Sequence, residues 1–284
     1  MKVETISLQG TAQWNEDALV INESLHLYGV LDGATSVHPY RGPNNETGGY
    51  LASQTIRQYM QSLKTDAGLE TGLKPLVLEA NSKLREAMLE AGIDVTDKQS
   101  LWTSALAMVR ISNNYIDYAQ VGDCMIIAVY KDGLIRPISR DQVAPIDARL
   151  KSVLREHIRQ GVASRDELWA CIRPMILQNK TKMNTIEGYS VMSGEPELAD
   201  FIEYGRFNRI GLQSILIVTD GLFLPGADSE READAITAMA GRIADMTLPG
   251  YAEWLLRLEQ DDSECVRYPR FKISDDKTGV WIKW

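Results

Sequence analysis

Hydrophobic and polar positions change period several times along the chain, and the changes mark out its elements. Short β-prone runs at 3–7 and 18–31 open the sequence; Asn22-Glu23-Ser24 interrupts the second and reads as the turn of a hairpin between 18–21 and 25–31. A loop rich in Pro, Gly and Asn follows over 34–46. From Tyr50 the apolar spacing lengthens to four, with Leu51, Thr55, Tyr59 and Leu63 on one stripe, which predicts a helix to about residue 63. A second helix is expected from Pro75, a residue suited to a first turn, to Ala91, where Gly92 ends it.

At Thr103 the strand period returns. Runs at 103–111, 115–121, 124–130 and 134–139, separated by tight-turn sequences that include Gly122-Asp123, predict an antiparallel meander with Asp123 at a strand-to-strand corner. Helical patterns at 147–160 and 164–177, followed by a polar stretch over 179–196, make 141–208 a helical insert on the rim of the sheet. An apolar strand at 215–219, helices over 229–245 and 250–260, and a terminal strand at 278–284 complete the chain. Strict βαβ alternation is missing, so these elements predict an α+β sandwich and not a doubly wound sheet.

Length and composition narrow the function. With 284 residues the chain can bury a sizeable core, and a single domain spanning 1–284 is the expectation. No apolar run approaches the roughly 18 residues of a membrane span, and the first residues lack a signal-peptide core, so a cytoplasmic protein with no membrane partner is expected. The net charge of −9, without a cluster of Lys and Arg, argues against a nucleic-acid partner. Three widely separated cysteines suggest neither a disulfide framework nor a thiolate zinc site, and Cys124 reads as an inward-facing structural thiol.

The candidate chemistry lies in acids at the ends of apolar runs. Tyr28–Asp32 closes in Asp32-Gly33, and Glu16-Asp17 precede the partner strand of the same hairpin, so chain order alone brings these three carboxylates together. Crowding of that kind is costly unless cations or protons compensate. Asp123, Asp220 (followed by Gly221) and Asp276 stand in similar settings.

Taken together, Asn15-Glu16-Asp17, Gly29-Val30-Leu31-Asp32-Gly33, Val121-Gly122-Asp123, Val218-Thr219-Asp220-Gly221-Leu222-Phe223 and Asp275-Asp276 resemble, in order and spacing, the PP2C (PPM) family of metal-dependent Ser/Thr protein phosphatases. Gly48-Gly49 at a helix entry and Thr103-Ser104-Ala105 add to the likeness. The resemblance implies a four-layer αββα sandwich of two antiparallel sheets and a binuclear Mn²⁺ or Mg²⁺ centre acting on a phosphoprotein by direct attack of a bridging hydroxide. It implies that Asp32 bridges both ions, that Asp220 and Asp276 complete one and that Glu16 with the Gly33 carbonyl completes the other, while Asp17 holds water behind them. All-oxygen ligation suits these ions and not zinc. A monomer is expected, and the 141–208 insert resembles the family's flap.

The chain departs from the family pattern in four places. Ala12 stands where the phosphate-binding Arg is expected, with Arg41 as a substitute to consider. Asp32-Gly33-Ala34-Thr35-Ser36 lacks the usual His, which leaves His38 as the candidate proton donor. Leu224 replaces the Asp that would join Asp123 in a third metal site, so binding there is expected to be weak or absent. Lys277 replaces an Asn after the last ligand; with Asp276 as that ligand Lys277 should face solvent, and Asp275 is the alternative. Lys180 and Lys182 are further candidates to meet a phosphate from the insert.

Overall fold

Ten strands make two five-stranded sheets, antiparallel at every pairing, in a computed structural model that describes residues 1–34, 38–64, 72–162, 164–225 and 232–284. The strands are β1 (Lys2–Leu8), β2 (Asp17–Asn22), β3 (Leu27–Ala34), β4 (Thr103–Ile111), β5 (Tyr115–Val121), β6 (Met125–Tyr130), β7 (Ile135–Pro137), β8 (Glu203–Asn208), β9 (Leu212–Val218) and β10 (Lys277–Lys283). One sheet runs β1-β10-β9-β6-β7 and the other β2-β3-β4-β5-β8. Among the described residues six α-helices accompany them: α1 (Gly48–Ser62), α2 (Leu73–Glu90), α3 (Ala144–Arg159), α4 (Arg165–Lys180), α5 (Glu232–Met246) and α6 (Leu248–Gln260). The first residues of the helix expected over 229–245 lie outside the described residues.

Alternation along the central strands assembles the layers. Val30, Ala107, Val109, Ile126, Ala128, Ile215, Ile217, Val280 and Ile282 point between the sheets and form one buried core. Their neighbours point the other way: Leu31, Leu106 and Met108 pack with Ile56, Met60, Val77 and Leu84 of α1 and α2. Ile127, Leu216 and Val218 pack with Met239, Ile243, Tyr251 and Leu255 of α5 and α6. Burial on both faces explains why these strands read as unbroken apolar runs. The result is the expected α+β sandwich, helix pair, sheet, sheet, helix pair.

Two sequence expectations need correction. The meander is divided between sheets: β4 and β5 belong to one and β6 and β7 to the other, with 122–124 crossing from sheet to sheet. Gly122 makes the crossing with φ +81°, a backbone region that side chains with a Cβ enter at a cost. The insert also ends earlier than 208, because β8 pairs with β5 as an edge strand. Its residues alternate between half-buried and exposed, so it lacks the apolar run that would announce a strand. What remains, α3 and α4, closes over a small core of its own from Leu150, Leu154 and Ile172, with Phe271 packed against it.

Candidate functional site

The β2–β3 hairpin sets Asp17 directly opposite Asp32 across two hydrogen-bonded strands. Like charges so placed repel, and the fold must offset them. Asn22 secures the hairpin turn by accepting from the Leu25 amide, while its side-chain amide donates to the carbonyls of Met60 and Leu63 at the end of α1. Asp17 is 4% exposed and accepts a 2.8 Å hydrogen bond from the Thr219 hydroxyl of the facing sheet. Burial, reinforced by the charges of Asp276 and Asp275, holds the Asp17 carboxyl well above the usual carboxylate range.

Each sheet contributes acids to the same end of the sandwich. Asp220 follows β9 in a short 3-10 turn, and its carboxyl reaches hydrogen-bond distance of Asp32. Burial first, then Asp275, push Asp220 up to about 6. Asp32 is raised well above its ordinary value by burial and then by Asp17, Asp220, Asp123 and Asp275. Asp123, on the sheet-to-sheet crossing, is raised by burial and by Asp220, Asp141 and Asp147. The crossing thus puts Asp123 within electrostatic reach of acids from both sheets. Among the described residues, no three His, Cys, Asp or Glu side chains are drawn into a metal-holding arrangement as they stand.

Glu16, 2% exposed, and Gly33 meet at the entry of α1. The Gly33 amide donates to the Glu16 carbonyl at 3.1 Å. Thr47 caps α1 by accepting from the Tyr50 amide, and its hydroxyl donates to Glu16 Oε1. A Cβ on Gly49 would stand 2.8 Å from both Glu16 Oε1 and the Gly33 carbonyl oxygen, so these two oxygens face one small space that a side chain at 49 would fill. That is why position 49 is a glycine.

Asp275 and Asp276 are engaged differently. Asp276 is 3% exposed, and its two oxygens accept the amides of Gly10 and Glu16, each at 2.7 Å. It therefore pins the 9–16 segment to the start of β10. Asp275 instead lines the cleft beside Asp123 and Asp220. Lys277 does not face solvent: it is 1% exposed, pairs with Glu259 at 2.7 Å and donates to Ser274 Oγ and the Asp275 carbonyl. β10 begins at Lys277, one residue before the expected start, so Lys277 belongs to a strand buried at all but its last position and not to the loop before it.

The cleft, of about 240 Å³, opens between the acids, α3 of the insert and the 261–276 segment. Asp141, Asp147, Lys151, Arg155, Arg270 and Lys272 also line it. Burial raises Asp141 to about 7. Leu224 joins Phe223 on the apolar wall.

The other candidates sit elsewhere. His38, its side chain 56% exposed, has Nδ1 3.7 Å from Asp97 and does not line the cleft; residues 35–37 lie outside the described residues. Arg41 is exposed and away from the lining. Lys180 is buried and donates to the carbonyls of Gln99 and Leu101, which makes it an anchor of the insert and not a phosphate contact; Lys182 lines no part of the cleft. Cys124 is fully buried between the sheets.

A family model described as protein phosphatase 2C matches residues 9–257. No curated protein matches the chain. Among solved structures, the Mycobacterium tuberculosis serine/threonine phosphatase PstP/Ppp superposes with a TM-score of 0.57 at 16% identity, covering 99% of this chain and 97% of that one. The serine/threonine phosphatase Stp1 from Staphylococcus aureus gives 0.56 at 14% identity over 100% and 94%. The catalytic domain of PstP in complex with two manganese ions gives 0.54 at 16% identity over 99% and 97%.

Proposed function

Because the chain belongs to the protein phosphatase 2C family, we propose that its acidic cleft is the active site of a Mn²⁺- or Mg²⁺-dependent phosphatase acting on phosphoserine or phosphothreonine in proteins. The observation that carries this reading is the crowding of Asp17, Asp32, Asp123 and Asp220 at one end of the sandwich, where burial first and then neighbouring acids, Asp275 among them, hold their carboxyls toward the neutral form. Bound cations relieve that crowding, and an all-oxygen donor set suits these two metals. The fit rests on donor chemistry and charge. The manganese-bound relative lends it further support.

Asp32, Asp220 and Asp275 would hold one ion, and Asp32, Glu16 and the Gly33 carbonyl the other. Asp275 would take the place expected of Asp276: both oxygens of Asp276 accept backbone amides, whereas the amide of Asp276 and Lys272 share one oxygen of Asp275, Oδ1. Such ions supply Lewis-acid polarisation of phosphoryl oxygens and lower the pKa of water. The protein's own part is positioning. Thr47 and Thr219 orient Glu16 and Asp17, and Asp276 ties the 9–16 segment against β10 so that Glu16 keeps its place. The insert walls the open side of the cleft and limits which phosphorylated segments enter.

The test is hydrolysis of p-nitrophenyl phosphate with Mn²⁺: Asp32→Asn and Asp220→Asn should each abolish it, and activity equal to the wild type in both would sink the assignment. A second reading, a module that holds a phosphoprotein without turning it over, is favoured by the lack of histidine among the described residues lining the cleft. It predicts Mn²⁺ uptake with no phosphate release at any pH.

A further inference from the structure

A phosphate monoester carries a charge near −2 and is repelled by Asp123, Asp220 and Asp275, so the cleft needs a basic group able to face it. Among the described residues the basic groups lining the cleft are Lys151, Arg155, Arg270 and Lys272. Arg270 is committed to the fold: it donates to the Asp262 carboxylate at 2.6 Å and to the carbonyls of Glu259, Asp262, Tyr268 and Ile273. Lys151 pairs with Asp147 one turn back on α3 at 3.2 Å and lies over the Phe271 ring, and Arg155 follows one turn further along that helix.

Lys272 is placed differently. Its Nζ lies 2.6 Å from Asp275 Oδ1, its side chain is 37% exposed, and its charge is felt at Asp220 and Asp276 while it in turn feels Asp32 and Glu16. It thus stands at the junction between the acids and the open cleft. We infer that Lys272 is the group that meets the substrate's phosphoryl oxygens, its ammonium exchanging Asp275 for phosphate when a divalent cation engages Asp275. The inference rests on the phosphatase reading. A divalent cation on Asp275 takes up the charge that Lys272 otherwise balances, and an ammonium on a flexible four-carbon stem then serves as a movable point charge for phosphate. Neither Ala12 nor the outlying Arg41 offers a charge there.

Calorimetric titration tests this, with Mn²⁺ and then inorganic phosphate added to the wild type, Lys272→Met and Lys272→Arg. Lys272→Met should bind Mn²⁺ as tightly as the wild type or more tightly, because Asp275 loses a competitor. Its Mn²⁺-loaded form should bind phosphate about tenfold more weakly, the scale of one charge-assisted hydrogen bond. Lys272→Arg should keep phosphate binding. Should Lys272→Met not fold, Lys272→Gln is read in the same way. Phosphate affinity unchanged in Lys272→Met, with Mn²⁺ bound, overturns this inference alone, as does a loss of Mn²⁺ affinity that matches the loss of phosphate. A wild type that takes up no Mn²⁺ overturns the phosphatase reading and this inference with it.

Discussion

Neighbouring carboxylates can do unrelated work, and Asp275 and Asp276 are the sharpest instance here. Asp276→Ala strips partners from the buried amides of Gly10 and Glu16 and should cost about 1–3 kcal/mol for each donor left unpaired, read in urea unfolding. Asp275→Ala, which removes the acceptor of one part-buried amide, that of Asp276, should lower the urea midpoint less than Asp276→Ala and weaken Mn²⁺ binding at least tenfold. The reverse pattern would return the ligand role to Asp276. Glu16, Asp17, Asp32, Asp123 and Asp220 were legible in the sequence because each ends or adjoins an apolar run, and strand ends converge at the rim of a sandwich. The Asp275-Asp276 doublet was not, because its reading hangs on where β10 begins to within one residue. Lys272 and Asp141 were hidden for another reason: loop and cap positions acquire neighbours only through tertiary packing.

Elements differ in how far they depend on the sandwich. Helices α3 and α4 pack chiefly on each other and on Phe271, around Leu150, Leu154 and Ile172, apart from the three cores of the sheets. Leu154→Ala should therefore lower hydrogen-exchange protection in α3 and α4 while leaving β3, β4 and β9 protected as in the wild type. Equal loss of protection in those strands would mean that the insert and the sandwich unfold as one unit. The double-sided strands announced themselves by unbroken apolar runs, and α1 and α2 by spacing and end signals. The edge strand β8 did not, since one face of it is open to solvent. Nor did the crossing at 122–124: a tight turn reads the same whether the next strand pairs with the last or joins the opposite sheet.

The molecule as a whole concentrates acids at one end, and this links folding to pH and to cations. The folded carboxyls of Asp17, Asp32, Asp123 and Asp220 titrate above the unfolded value of about 3.9. Between that value and the folded ones the native state binds more protons than the unfolded chain, so the stability of the metal-free protein falls as pH rises through about 6, where Asp220 titrates. A bound cation removes the repulsion that protons otherwise relieve. Mn²⁺ should therefore raise the melting temperature more at pH 7.5 than at pH 5, and equal increments at both would show that the cation binds away from these acids.

Release of phosphate from a phosphoserine peptide tests the central claim most directly. The wild-type protein, stripped with chelator and then given Mn²⁺, should be inactive in the first state and active in the second, with Asp32→Asn inactive in both. Turnover that survives the chelator, or that persists in Asp32→Asn after Mn²⁺ is restored, would contradict a cation-dependent phosphatase built on these acids.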